Sequence, residues 1–185
     1  MEEKIKCESC SELSYCKKNG CYICQKCDDF EEENKQELYS YLTPSIDQIN
    51  EKIFLGNDDT SRFKDILIQA GITHILICGS ELYPHFVEDF TYLKIPLLDS
   101  YNEDINKFFE QTNNFIESSK KVYIHCKAGI SRSSSVTIAY LMWKNKLNFQ
   151  KAFDIVKSKR RIICPNDNYL NQLKEYDLNI NIQNN

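Results

Sequence analysis

The chain has 185 residues, of which 42% are hydrophobic and 27% are charged, and its formal net charge is −4. This balance is typical of a globular protein rather than a disordered one, and the negative charge argues against nucleic-acid binding through bulk charge. The longest apolar run, Ile72–Cys78, is too short to span a bilayer, and the N-terminus lacks the apolar stretch of a signal peptide. We therefore expect a cytoplasmic protein, with the nucleus as the alternative, that has no membrane span and no nucleic-acid partner.

The first 27 residues form a cysteine-rich module. It holds six of the nine cysteines, namely Cys7, Cys10, Cys16, Cys21, Cys24 and Cys27. The two Cys-x2-Cys pairs, Cys7 with Cys10 and Cys24 with Cys27, have the pattern of a zinc site with four thiolate ligands. Cys21 could replace Cys27, two zinc ions could share all six thiolates, and a redox-active dithiol is a further alternative. We expect a structural zinc ion here and a module that docks onto a protein partner.

An acidic link, residues 28–43, separates this module from the main domain at residues 44–178. The stretch Asp28–Glu37 contains six acids and one lysine, a net charge of −5, so the rest of the chain carries about +1. The sequence Thr43-Pro44-Ser45 marks the boundary with the main domain. The polar, Asn-rich residues 179–185 are predicted to form a frayed tail.

Strand and helix patterns alternate from Ser45 onward, which is typical of an α/β domain. Short apolar runs predict strands at Ile53–Gly56, Ile72–Cys78, Tyr92–Ile95 and Val122–Ile124. Apolar residues at helical spacing predict helices at Arg62–Ala70, Ile105–Ile116, Val136–Trp143, Phe149–Val156 and Asp167–Tyr176. We therefore expect a sheet with helices packed against it.

The segment between the last predicted strand and the helix that follows carries most of the chemistry. It reads His125-Cys126-Lys127-Ala128-Gly129-Ile130-Ser131-Arg132-Ser133. A loop in this position directs consecutive backbone N–H groups and the positive end of a helix at one point, which makes an anion site suited to phosphate. Gly129 allows a tight turn, and Arg132 can bind two phosphate oxygens at once. The same donors stabilise a thiolate at Cys126, so the loop predicts a nucleophile at the base of a phosphate pocket.

These residues resemble the signature H-C-x-x-G-x-x-R-S/T of the cysteine-dependent protein phosphatases. The match continues through Ala139-Tyr140-Leu141-Met142. The sequence resembles the dual-specificity family over about Ser45 to Leu178. The resemblance implies a central, mostly parallel (mixed) sheet of about five strands flanked by helices. It also implies hydrolysis of phosphotyrosine and phosphoserine or phosphothreonine on phosphoprotein substrates, through a phosphocysteine intermediate and with no cofactor for catalysis.

The resemblance assigns roles to individual side chains. Residues 127–132 would hold the substrate phosphate, and Ser133 would donate a hydrogen bond to the leaving thiolate. Asp99 would act as general acid and then as general base, with Glu103 and Asp104 as its competitors by proximity. These two carboxylates are more typical of the first turn of the next helix, where negative charge is favourable. His125 is expected to be a buried orienting residue rather than a general base.

Cys78 ends a predicted strand at a position where some branches of the superfamily use a cysteine as a reversible disulfide partner of the nucleophile. The alternative is a small buried hydrophobic side chain. Further along the chain, Lys157, Lys159, Arg160 and Arg161 form a basic run. They either face the pocket and attract acidic phosphopeptides or only complement the C-terminal end of their helix.

Three other functions fit parts of the sequence. One is a catalytically weak phosphoprotein-binding module on the same fold, and another is a zinc-dependent adaptor that works through residues 1–27. A phospholipid phosphatase is the third, but Ile130 occupies a loop position where lipid-phosphatase relatives carry a second lysine. We therefore expect a protein substrate.

Overall fold

The computed structural model describes residues 5–6, 13–14, 16–18, 21–23, 44 and 46–183, with side chains described for residues 44 and 46–178. The chain divides into two compact units, Met1–Tyr41 and Leu42–Asn185. The boundaries drawn from the sequence at residues 27, 43 and 178 stay predictions. In the described part of the chain, no helix is both long and apolar enough to cross a membrane.

The first unit contains two short hairpins. Strands β1 (Ile5–Lys6) and β2 (Leu13–Ser14) pair antiparallel, as do β3 (Cys16–Lys18) and β4 (Cys21–Ile23). The predicted zinc ligands Cys7, Cys10, Cys24 and Cys27 lie outside the described residues. Within the described residues, no group of three or more His, Cys, Asp or Glu could hold a metal ion, so the zinc site stays a prediction.

The second unit is built on a five-stranded sheet. Its strands are β5 (Ile46–Gln48), β6 (Ile53–Asn57), β7 (His74–Cys78), β8 (Thr91–Ile95) and β9 (Val122–Cys126), in the order β5-β6-β9-β7-β8. All neighbours pair in parallel except β5, which runs antiparallel to β6. The predicted α/β class and the mostly parallel five-stranded sheet are confirmed, although no strand was predicted at β5.

Five α-helices accompany this sheet. They are α1 (Lys64–Gln69), α2 (Phe109–Ser118), α3 (Arg132–Asn145), α4 (Phe149–Lys159) and α5 (Asp167–Gln183), and short 3₁₀ turns cover Thr60–Arg62 and Asn106–Phe108. Helix α5 continues well beyond Tyr176, the end predicted for it, and through most of the predicted polar tail. The sequence after Asp167 contains no Gly or Pro, so nothing in the backbone stops the helix there.

The sheet has a core on each face. Leu76, Cys78, Ile124 and Cys126 belong to one buried cluster, together with residues of α2 to α5, whereas Ile75, Ile77 and Tyr123 belong to a second cluster with Leu67 of α1. Because both faces are covered, the parallel strands read as continuous apolar runs. The parallel strands β6, β7, β8 and β9 have their carboxyl ends on the same side of the sheet, and α3 begins there. Ligands of open parallel sheets bind at the carboxyl ends of the strands.

Candidate active site

Cys126 is the last residue of β9 and opens the loop 126–132, called the cysteine loop below. Cys126 is 2% exposed, and its Sγ accepts hydrogen bonds from the Gly129 N–H (3.3 Å) and the Ser133 hydroxyl (3.2 Å). Helix α3 begins at Arg132, and the Ser133 donor belongs to its first turn. Two hydrogen-bond donors therefore point at this sulfur.

Gly129 fits the cysteine loop for two physical reasons. Its φ of +69° lies in the left-handed region, where a residue with a Cβ is strained. A Cβ at this position would also overlap the Gly56 carbonyl oxygen and lie 2.8 Å from Arg160 Nη2. The loop can therefore pass this close to β6 only with glycine.

Arg132 lies beside the sulfur and is 6% exposed. Its Nη1 donates to Glu81 Oε1 (2.6 Å) and, more weakly, to the Leu97 carbonyl (3.4 Å), and its Nε lies 3.8 Å from Asp99 Oδ2. Burial opposes its charge, but the negative charges of Cys126, Glu81 and Asp99 raise the pKa of Arg132 above its ordinary value. Glu81 was not predicted from the sequence, because nothing local marks an acid in a loop as the partner of a distant arginine.

Asp99 lies in the loop after β8, at the mouth of the cysteine loop. Its Oδ1 accepts hydrogen bonds from the Ser131 hydroxyl (2.8 Å) and the Asn166 side-chain amide (2.8 Å), and the Asn166 backbone N–H donates to the same Ser131 oxygen (3.2 Å). The side chain of Asp99 is nevertheless 40% exposed. The structure thus brings Asp99, Cys126 and Arg132 together around one opening and fixes Asp99 from two sides.

The two competitors of Asp99 are engaged elsewhere. Glu103 forms an ion pair with Lys107 (2.7 Å), and Asp104 Oδ1 accepts from the Asn106 N–H (3.0 Å) at the start of a 3₁₀ turn. Both carboxylates lie in the loop before this 3₁₀ turn, whose first turn contains no acidic residue, and not in the first turn of the next helix, where they were predicted. The contribution of Asn166 to the site was missed, since only its place in a Pro-Asn pair was visible in the sequence.

His125 is wholly buried behind the loop. Its ring stacks on Tyr123, with centroids 5.4 Å apart and planes 17° apart. Burial lowers the pKa of His125 to about 4, so its imidazole is neutral at pH 7. A neutral ring packed into the sheet has little access to a substrate proton.

Cys78 lies next to Cys126 in the sheet. The register pairs Ile77 of β7 with His125 of β9, so Cys78 stands one step further along, level with Cys126. Both cysteines belong to the same core cluster and therefore lie on the same face. Burial raises the pKa of the Cys78 thiol, which is therefore protonated at neutral pH.

The basic run at the end of α4 does not behave as a single surface. Lys159 and Arg161 are exposed, and Lys157 Nζ donates to the Ile163 carbonyl (2.8 Å). Arg160 is wholly buried beneath the cysteine loop. Neither of the two predicted roles, attracting acidic substrates and complementing a helix end, describes this residue.

Comparison with protein families finds a matching family model for the second unit. The family model for the dual specificity phosphatase catalytic domain matches residues 53–179, more than half of the chain. Among solved structures, the human tyrosine phosphatase-like serine/threonine/tyrosine-interacting protein is similar, with a TM-score of 0.70 and 34% sequence identity. That alignment covers 73% of this chain and 97% of the other.

Two curated relatives illustrate the sequence similarity. The MAP kinase phosphatase with leucine-rich repeats protein 3 of Dictyostelium discoideum is 42% identical over 146 residues, which is 77% of this chain and 17% of the relative. Human dual specificity protein phosphatase 1 is 35% identical over 147 residues, which is 75% of this chain and 40% of the relative. The chain therefore spans less than half the length of these relatives.

Proposed function

This chain belongs to the dual specificity phosphatase family, and we propose that it hydrolyses phosphotyrosine and phosphoserine or phosphothreonine on proteins through a phosphocysteine intermediate. The observation that carries the proposal is the convergence of three groups. Cys126 Sγ accepts two hydrogen bonds, the Arg132 guanidinium lies beside it, and the Asp99 carboxylate stands at the opening. A nucleophile, an anion-binding cation and a candidate proton donor are what phosphate ester cleavage by a thiolate requires.

In the first half of the reaction the Cys126 thiolate attacks the phosphorus atom. The bond from phosphorus to the ester oxygen breaks, and protonated Asp99 gives its proton to that leaving oxygen. The N–H groups of residues 127–132 and the Arg132 side chain hold the other phosphate oxygens. Within the described residues Arg132 Nε has no hydrogen-bond partner, so it is available to one of these oxygens.

In the second half a water molecule attacks the phosphocysteine. Asp99, now a carboxylate, accepts a proton from that water while the bond between sulfur and phosphorus breaks. The sulfur leaves as a thiolate, which the Ser133 hydroxyl, 3.2 Å from Sγ, stabilises by a hydrogen bond. Inorganic phosphate is released and the thiolate is restored.

The test is phosphate release from a peptide phosphorylated on both threonine and tyrosine. Wild type is expected to release both phosphates, whereas Cys126→Ser is expected to lose activity by at least about a thousandfold, since serine cannot supply a thiolate. Cys164→Ser is the matched control, because Cys164 is an exposed cysteine of the same unit. Folded wild type that releases no phosphate from the peptide would contradict the proposal and favour a binding module or a lipid substrate.

We further propose that residues 1–27 bind a structural zinc ion through Cys7, Cys10, Cys24 and Cys27, and that this module docks onto a protein partner. The spacing of the two Cys-x2-Cys pairs supports the ligand set. Elemental analysis of the purified chain is expected to find zinc, and Cys7→Ser and Cys24→Ser are expected to lose it, while Cys164→Ser keeps it. Protein purified without chelator that contains no zinc would contradict this proposal.

A further inference from the structure

Every carbonyl in the middle of the cysteine loop is held by a hydrogen bond. The Lys127 carbonyl accepts from the Asp58 N–H (3.2 Å), and the Ile130 carbonyl accepts from the Cys164 N–H (3.0 Å). The two carbonyls between them accept from one side chain. Arg160 Nη2 donates to the Ala128 carbonyl (3.2 Å) and Arg160 Nε donates to the Gly129 carbonyl (2.8 Å).

Holding a carbonyl fixes the N–H of the following residue, because the two belong to one planar trans peptide and point in opposite directions. Arg160 therefore sets the direction of the N–H groups of Gly129 and Ile130. The Gly129 N–H is the one that donates to Cys126 Sγ (3.3 Å). The Arg160 side chain thus aligns two backbone donors of the cysteine loop, which we call the anion cradle together with the other N–H groups of residues 127–132. One of these two donors contacts Cys126.

Arg160, at the end of helix α4, is itself held in place by a partner on strand β5. It is wholly buried, and a buried guanidinium is costly unless its charge is paired. Its Nη1 forms an ion pair with Asp47 Oδ2 in β5, and the Asp47 side chain is 21% exposed. Asp47 also lies before residue 53, where the match to the family model begins.

We propose that Asp47 and Arg160 form a positioning pair for the active site. Asp47 locks the guanidinium, and Arg160 turns the Gly129 and Ile130 N–H groups toward the substrate phosphate. The pair touches neither substrate nor sulfur through its own side chains. The proposal rests on the proposed function in that the cradle binds the phosphate of the substrate.

The first test is Asp47→Asn, which removes the charge but keeps the size of the side chain at a partly exposed edge. We expect the KM for an aryl phosphate and the dissociation constant of inorganic tungstate, measured by calorimetry, to rise together by about tenfold, the loss of one charge-assisted interaction. We expect kcat to change less. Asp89→Asn is the matched control, because Asp89 lies just before β8 and forms a partly exposed ion pair with Lys64 (2.6 Å), and it should leave both constants unchanged.

The second test asks whether Asp47 acts through Arg160. Arg160→Lys keeps the charge but loses the two guanidinium nitrogens that donate to the Ala128 and Gly129 carbonyls. This variant is expected to weaken tungstate binding. Adding Asp47→Asn to Arg160→Lys is expected to cause no further loss, since the two residues form one unit. Losses that multiply in the double variant, or unchanged tungstate binding in folded Asp47→Asn, would overturn the proposal.

Tungstate binding also separates this proposal from the proposed function. Wild type that binds tungstate but hydrolyses no phosphoester would contradict the function, while the two variants would still decide the positioning pair. Folded wild type that binds no tungstate would overturn both.

Discussion

Asp99 is the side chain whose proposed role, that of general acid, depends most on the substrate. A phosphothreonine ester has a poor leaving group that needs a proton, whereas a p-nitrophenyl ester has a good one that hardly does. We therefore predict that Asp99→Asn lowers kcat for a phosphothreonine peptide by about a hundredfold and lowers it much less for p-nitrophenyl phosphate. Steady-state kinetics on the two substrates measure this difference.

Glu103→Gln is the matched control for Asp99→Asn. Glu103 is a nearby carboxylate that is paired with Lys107 (2.7 Å), and its replacement should slow neither substrate appreciably. Equal losses on both substrates in Asp99→Asn would mean that Asp99 only maintains the loop through Ser131 and Asn166. A selective loss in Glu103→Gln would move the general acid to that residue.

Two glycines in this unit share a positive φ but differ in their surroundings. Gly71 has a φ of +75° and its nearest contact is the flexible side chain of Lys121 at 3.5 Å, whereas Gly129 faces the backbone of Gly56. Gly71→Ala should therefore lose only about 1–2 kcal/mol of unfolding free energy to backbone strain. Gly129→Ala should lose more and reduce kcat/KM by at least about a hundredfold, because the loop must shift.

Urea unfolding and steady-state kinetics of these two variants check that prediction. Gly71→Ala should keep wild-type kcat/KM, since Gly71 lies at the opposite end of the sheet from Cys126. Wild-type activity in Gly129→Ala would show that the cysteine loop does not need its close approach to β6.

The neighbouring strands β7 and β9 place two cysteines side by side. Adjacent strands are about 4.8 Å apart, which is within the Cα separation of roughly 4.4–6.8 Å that a disulfide spans. We predict that peroxide first oxidises the Cys126 thiolate to a sulfenic acid. The Cys78 thiol then attacks that sulfur and water leaves, which forms a disulfide and prevents further oxidation.

The prediction is tested by activity after mild peroxide followed by dithiothreitol. Wild type and Cys164→Ser are expected to recover, whereas Cys78→Ser is expected to stay inactive with Cys126 as a sulfinic acid. Mass spectrometry that finds Cys126 as a sulfinic acid in wild type, and never joined to Cys78, would contradict the disulfide and leave Cys78 as a buried hydrophobic side chain.

Elements differ in how far the sequence reveals them. The cysteine loop is local, so its donors, glycine and arginine could be placed by spacing alone, and the apolar runs of β6, β7 and β9 follow from burial on both faces. Strand β5 has only three residues at the edge of the sheet, too few to show a pattern. Arg160 looked like surface charge because its partner Asp47 is 113 residues away, and no local pattern reports such a contact.

The stability of the whole second unit is expected to depend on pH through Asp58. This carboxylate has a side chain that is 2% exposed, and it is paired with Arg62 (2.7 Å) and, at longer range, with Lys127 of the cysteine loop (3.7 Å). Burial alone would raise its pKa, but the Arg62 hydrogen bond and the nearby positive charges outweigh burial and hold the pKa of Asp58 below its ordinary value of 3.8. The folded state therefore favours the carboxylate form.

A folded-state pKa below the unfolded value stabilises the fold above about pH 4 and loses this effect as the pH falls through the folded value. We predict that Asp58→Asn lowers the free energy of unfolding by about 1–3 kcal/mol at neutral pH and that the difference from wild type shrinks as the pH falls below about 4. Urea unfolding at several pH values measures it. Asp59→Asn, at the exposed neighbour, should differ little from wild type throughout, and a deficit in Asp58→Asn that stayed constant with pH would show that packing rather than charge makes Asp58 stabilising.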